Sequence, residues 1–109
     1  MEAKTHRDFF EKVLPSRFKP EKAAGVDVIV QIRITGPNGG DWTVAIKNLK
    51  LEVKEGAHPS PAITLEMTEA DYLDLVNGKM SGEKAFLMGK VRFKGNIALA
   101  LKLREIGFL

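Results

Sequence analysis

With 109 residues and 44% apolar content, the chain is sized for one domain, residues 1–109, with a core of its own. It contains no cysteine, which excludes disulfides and thiolate metal sites and fits a reducing compartment. A formal charge of +3 suits an anionic partner surface but is well below that of a dedicated nucleic-acid binder.

The opening "MEAKTHRDFF" has no apolar core of signal-peptide type. The longest strictly apolar run, "IALAL" (97–101), is too short to cross a bilayer. The final "GFL" is not a peroxisomal address. The expected location is cytoplasmic.

In chain order, Thr5 and Asp8 resemble a capping box. Phe9, Phe10, Val13 and Leu14 follow at helical spacing, and Pro15 is expected to end the run. "KPEKAAG" predicts one short helix opened by Pro20 and closed by Gly25. The period then changes to two. "VDVIVQIRIT", "DWTVAIKN" and "LKLEVKE" predict three strands in an antiparallel meander. Val28, Val30, Ile32, Trp42, Val44, Ile46, Leu49, Leu51 and Val53 are expected inward.

"AITLEM" predicts a fourth strand with Ile63, Leu65 and Met67 inward. Thr68 caps a helix closed by Gly78, and Ser81 caps a second closed by Gly89. "KVRFK" predicts a fifth strand, and Asn96 caps a last helix, "IALALKLREI". The pattern is α+β: a five-stranded, mainly antiparallel sheet covered on one face by helices.

Chemistry-bearing patterns are few. Neither "GKMSGEK" (78–84) nor "GKVRFKG" (89–95) has the spacing of a phosphate-binding loop, so Gly89 and Gly95 are expected in a helix cap and a turn. His6 is expected at a core border, and His58 has no partner at metal-ligand spacing. No nucleophile elbow surrounds Ser16, Ser60 or Ser81, and Asp71 and Asp74 lie on a solvated helix side. The expectation is no enzyme, no cofactor and no metal. Phe18, Trp42 and Tyr72 stand outside apolar clusters and are too scattered for a nucleic-acid stacking platform. Lys90, Arg92 and Lys94 alternate with Val91 and Phe93, giving one wet strand face. That face either simply solubilises the strand or attracts acidic lipid headgroups.

The late helices carry more apolar surface than one stripe. Leu99, Leu103 and Ile106 share one side, while Ile97 and Leu101 lie well round from them. "AFLM" (85–88) also spreads around most of a turn. Such helices need two apolar neighbours: the sheet, and either another helix or a bound lipid.

"KPEKAAGVDVIVQI" (19–32), "GGDWTVAIKN" (39–48), "TLEMTEADYLDLVNGKMSGEKAF" (64–86) and "GKVRFKGNIALALKL" (89–103) resemble the sterol carrier protein type 2 family of lipid-binding domains. The resemblance implies an apolar tunnel between sheet and helices. It implies a non-catalytic protein that binds or transfers a fatty acid, acyl-CoA, phospholipid or sterol. The expected lipid contacts are Trp42, Leu73, Val76, Met80, Phe86 and Met88. From the last helix they continue with Ile97, Leu99, Ala100, Leu101 and Leu103. Membrane-surface contact is expected of Lys90, Arg92 and Lys94. Two departures stand out. Leu49 and Leu51 occupy a hairpin where many relatives have Gly, suggesting a stiffer turn. Met88 replaces a polar residue, often Gln. An accessory domain that docks or recruits substrate for a partner enzyme is the alternative, because the fold also occurs fused to enzymes. A free-standing chain of this length favours an autonomous carrier.

Overall fold

The computed structural model describes residues 2–106, so the "GFL" tail lies outside the described residues. Thr5 starts the first helical segment, its hydroxyl accepting the Asp8 N–H at 3.0 Å. Helix α1 (His6–Asp8), a π-helical stretch Phe9–Val13 and α2 (Leu14–Arg17) follow without a break. The expected stop at Pro15 is therefore corrected. The Leu14 N–H bonds the Phe9 carbonyl, five residues back. Pro15 then falls in the first turn of α2, where a missing N–H costs least. Pro20–Ala23 forms a short 3-10 turn, and Gly25 takes φ +75° beyond it.

Strands β1 (Val28–Thr35), β2 (Gly40–Lys47), β3 (Lys50–Glu55), β4 (Ile63–Thr68) and β5 (Arg92–Lys94) form one sheet in the order β3-β2-β1-β4-β5. β1 and β4 pair in parallel, and every other neighbouring pair is antiparallel. The link from β3 to β4 passes β2 and β1 on the outer face. There the Thr43 hydroxyl donates to the Gly56 carbonyl at 2.8 Å, and the Gln31 Oε1 accepts the His58 N–H at 2.7 Å.

Alternation does the sorting. Val28, Val30, Ile32 and Ile34 of β1 are buried on the inner face, as are Trp42, Val44 and Ile46 of β2. Ile63, Leu65 and Met67 of β4 continue the same layer. The helices cover this face, giving the α+β fold.

Leu49 departs from the predicted pattern. It stands with Asn48 in the two-residue turn between Lys47 and Lys50, at φ 64° and 53°, and is 48% exposed. A tight hairpin turn of this kind needs φ > 0 at both central residues, so Leu49 cannot also be the first inward residue of β3.

The aromatic residues are also less scattered than expected. Phe10 stacks between Trp42 (5.0 Å) and Tyr72 (5.6 Å), and Phe9 meets both Phe10 and Tyr72 edge-on. The Trp42 Nε1–H donates to His6 Nδ1 at 2.8 Å, while His6 Nε2 lies 2.8 Å from the Asn38 carbonyl oxygen. His6 is thus a buried core partner.

Helices α3 (Glu69–Val76), α4 (Gly82–Leu87) and α5 (Ile97–Arg104) each begin at the predicted cap. Thr68, Ser81 and Asn96 accept the N–H groups of Asp71, Lys84 and Leu99 through their side-chain oxygens. Gly95, at φ +133°, carries the chain from β5 into α5. A Cβ there would come within 2.7 Å of the Ala62 carbonyl oxygen. Close approach, not phosphate binding, explains this glycine.

Candidate functional site

An apolar cavity of about 420 Å³ opens at the β4–β5 end of the sheet. Leu65 and Met67 of β4, with Val91 and Phe93, form its floor. Ala85, Phe86 and Leu87 of α4 line one wall, and Ile97, Ala100 and Leu101 of α5 the other. Leu75 of α3 and Gly82 complete it.

The cavity follows from how α4 and α5 spend their apolar residues. Ala85 of α4 and Leu103 of α5 are buried in the core, together with Ile106 beyond α5. Phe86, Leu87, Ile97 and Leu101 are left over and exposed. Water-facing side chains of this kind are unfavourable unless something apolar covers them.

Among the described residues, Glu83 and Arg104 are the charged members of the lining. They pair with each other across the gap between α4 and α5. A hydrogen bond from its own backbone N–H, then the Arg104 guanidinium, holds the Glu83 carboxyl below the usual carboxylate range. The Glu83 carboxyl is therefore a carboxylate at neutral pH. The floor offers no charge to a ligand, and the rim offers one of each sign.

Of the predicted lipid contacts, the structure brings Phe86, Ile97, Ala100 and Leu101 to this cavity. The others lie elsewhere. Val76 and Leu103 are buried in the core, and Leu73, Met80 and Leu99 pack against it. Met88 is exposed just beyond α4, outside the lining. Trp42 is corrected most: it is on the inner face as expected, but beneath Phe10 and His6 rather than in the cavity. β2 lies two strands away from β4 in the sheet order, so its inner face belongs to the N-terminal helices.

Sequence reasoning missed Leu65, Met67, Val91 and Phe93 as lining residues, although it set all four inward. The missing signal was strand order, since β4 and β5 form the end of the sheet left to the short helices.

The three cations do not share one face. Lys90 precedes β5 and places Nζ 3.6 Å from Asp71 Oδ1 on α3. β5 pairs with β4 only over Arg92–Lys94, so strand alternation does not reach Lys90. Arg92 stands on the outer face with Nε 3.8 Å from Glu66 Oε2, and Lys94 lies opposite Thr64.

Comparison with known proteins agrees with this architecture. The chain is 37% identical over 73 residues to "Sterol carrier protein 2" of Homo sapiens, covering 65% of this chain and 13% of that protein. It is 32% identical over 96 residues to "Hydroxysteroid dehydrogenase-like protein 2" of Xenopus tropicalis, covering 87% of this chain and 23% of that protein. The chain thus spans less than a quarter of these curated relatives. Among solved structures, the sterol carrier protein domain 2 of Helicoverpa armigera superposes with a TM-score of 0.73 at 28% identity, covering 94% of this chain and 82% of that one. Palmitated SCP2L2 from Aedes aegypti gives 0.62 at 28% identity, covering 87% and 91%. Residues 10–106 match the sequence model of the SCP-2 sterol transfer family, and the chain belongs to that family.

Proposed function

We propose that this chain is a non-catalytic lipid carrier that holds one fatty acyl chain in the cavity between β4, β5, α4 and α5. The observation that carries this reading is the apolar lining left open beside a well-packed core. Its volume, about 420 Å³, falls in the range of about 300–1,000 Å³ that accommodates one small ligand. Its lipid contacts are Phe86, Ile97, Ala100 and Leu101, joined by Leu65, Val91 and Phe93. The palmitated relative named above supports an acyl chain as the occupant. The ligand is a fatty acid, an acyl-CoA, a phospholipid or a sterol. The working location is the cytoplasm, where Arg92 and Lys94 on the outer face of β5 add attraction to acidic headgroups.

The test is displacement of a fluorescent fatty acid by palmitate and palmitoyl-CoA, with mass spectrometry of organic extracts from the native protein. Saturable displacement and a co-purified lipid support the carrier. Absence of both displacement and co-purified lipid overturns it.

A second reading, an accessory domain for an enzyme, is favoured by the long relatives of which this chain matches less than a quarter. Co-purification of one enzyme in constant stoichiometry would support it.

A further inference from the structure

The cavity is apolar along most of its length and charged at one end. On α5 the residues that reach it are Ile97, Ala100, Leu101 and Arg104, spaced i, i+3, i+4 and i+7, so they form one stripe on one helix face. On α4, Glu83, Phe86 and Leu87 stand at i, i+3 and i+4 and form a second stripe. Arg104 closes the first stripe and Glu83 opens the second. The contact between Arg104 Nη1 and Glu83 Oε1 brings these two ends together. From that charged end, about 10 Å of apolar helix face runs back along α5, at 1.5 Å per residue. Such one-ended polarity suits an amphiphile with a single charged head.

Among the described residues Arg104 is the sole cation of the lining. Lys90 and Arg92 are engaged by Asp71 and Glu66, and Arg92 and Lys94 stand on the outer face of the sheet. A guanidinium carries five donors in a planar fork. Among the described residues Glu83 meets Arg104 through Nη1 alone, which leaves Nε and Nη2 for a second planar acceptor. The Arg104 side chain is 48% exposed and that of Glu83 57%, and an exposed pair of this kind adds little to stability.

We infer that Arg104 is the specificity-determining residue of the cavity: it takes the carboxylate of a free fatty acid whose chain lies along the α5 stripe. The inference rests on the carrier reading given above and narrows it from lipids in general to free acids. Glu83 competes for the same guanidinium and repels the incoming carboxylate, so it sets the threshold for binding. A hydroxyl or thioester head gains far less from Arg104 than a carboxylate does, because only the anion makes a charge-assisted pair. A phosphate head, with more negative charge, meets stronger repulsion from the ionised Glu83.

The test is competition against one fluorescent fatty-acid probe by laurate and by dodecanol, which share a chain and differ in head, with dodecyl phosphate and lauroyl-CoA alongside. The quantity read is the ratio of laurate to dodecanol affinity in each protein. The parent should favour laurate about tenfold, the low end for a charge-assisted hydrogen bond, because the site is half in water. Arg104→Gln should bring the ratio close to unity and leave dodecanol affinity unchanged, which also shows that the cavity is intact. Glu83→Gln should raise laurate affinity several-fold without altering that of dodecanol. Lys84→Gln, at an exposed cation beside Glu83 but outside the lining, should keep the parent's ratio. The inference is overturned if the parent does not distinguish laurate from dodecanol, or if Arg104→Gln still does so as the parent does. It is equally overturned if Lys84→Gln lowers the ratio as far as Arg104→Gln, or if dodecyl phosphate or lauroyl-CoA outbinds laurate in the parent. Should Arg104→Gln fail to fold, Glu83→Gln decides, since a laurate affinity no higher than the parent's overturns the inference. A parent that binds neither laurate nor dodecanol would strike the carrier reading instead, so the two failures are distinct.

Discussion

Filling the cavity should separate ligand binding from folding. Ala100 is half-buried on α5 and lines the cavity beside Leu101. Ala100→Phe would place a ring in the empty space. Burying a phenylalanine side chain contributes about 1.5–3 kcal/mol, set against about 1–3 kcal/mol of strain where packing is already tight. Because the space is open, the gain should match or exceed the strain, and the ligand-free variant should melt at or above the parent. In the parent, ligand at a hundred times its dissociation constant stabilises the fold by about 2.7 kcal/mol. At ~4 °C per kcal/mol for a domain near this size, that is a rise of roughly 10 °C in Tm. Thermal scans with palmitate should show this rise in the parent and almost none in Ala100→Phe. A variant that is as stable as the parent and keeps the full palmitate shift would refute the assignment of the cavity.

Three further outcomes follow from the fold. Leu49→Gly should stabilise the protein, by about 1 kcal/mol in denaturant titration, because a non-glycine residue with positive φ is strained by about 1–2 kcal/mol and Gly returns part of that as lost chain entropy; a destabilised variant would mean the turn is relaxed. Burial pushes the phenol of Tyr72, the only tyrosine, well above its ordinary value. Neutral in the fold and free to ionise when unfolded, it favours folding fully below about pH 10 and less as pH rises beyond that. Phenolate absorbance should therefore appear together with loss of far-UV dichroism, and titration ahead of unfolding would contradict its burial. Trp42, the only tryptophan, is buried against Phe10 and away from the cavity. Its emission should be blue-shifted and scarcely altered by palmitate, whereas a large ligand-dependent shift would place the ligand near β2.

What was legible in the sequence was largely local. Alternation in 28–35 and 40–47 set the inner face because each side chain has only two directions in a strand. Thr68, Ser81 and Asn96 announced three helices because a side-chain oxygen at that position satisfies a free N–H. The apolar excess of α5 was legible, but not which side faced the cavity: Leu103, expected as a lipid contact, went with Ile106 to the core, and Ile97 and Leu101 to the cavity. Strand order was not legible, since the β1–β4 pairing depends on a connection that crosses two strands. That is why Trp42 was expected at the cavity and Phe93 was overlooked. The continuation of the helix through Pro15 depends on a π-helical turn for which spacing carries no signal. Lys90 was set on a strand because the alternating pattern runs past the point where pairing stops.

Entry of an acyl chain between β4, β5, α4 and α5 is measured most directly by NOEs between methyl-labelled protein and unlabelled palmitate. The methyl groups of Leu65, Val91, Ile97 and Leu101 should show contacts to the acyl chain. Those of Val44 and Val53, on the strands at the other end of the sheet, should show none. Contacts at Val44 and Val53 without any at Val91 and Leu101, or no contacts at saturating palmitate, would contradict the cavity as the lipid site.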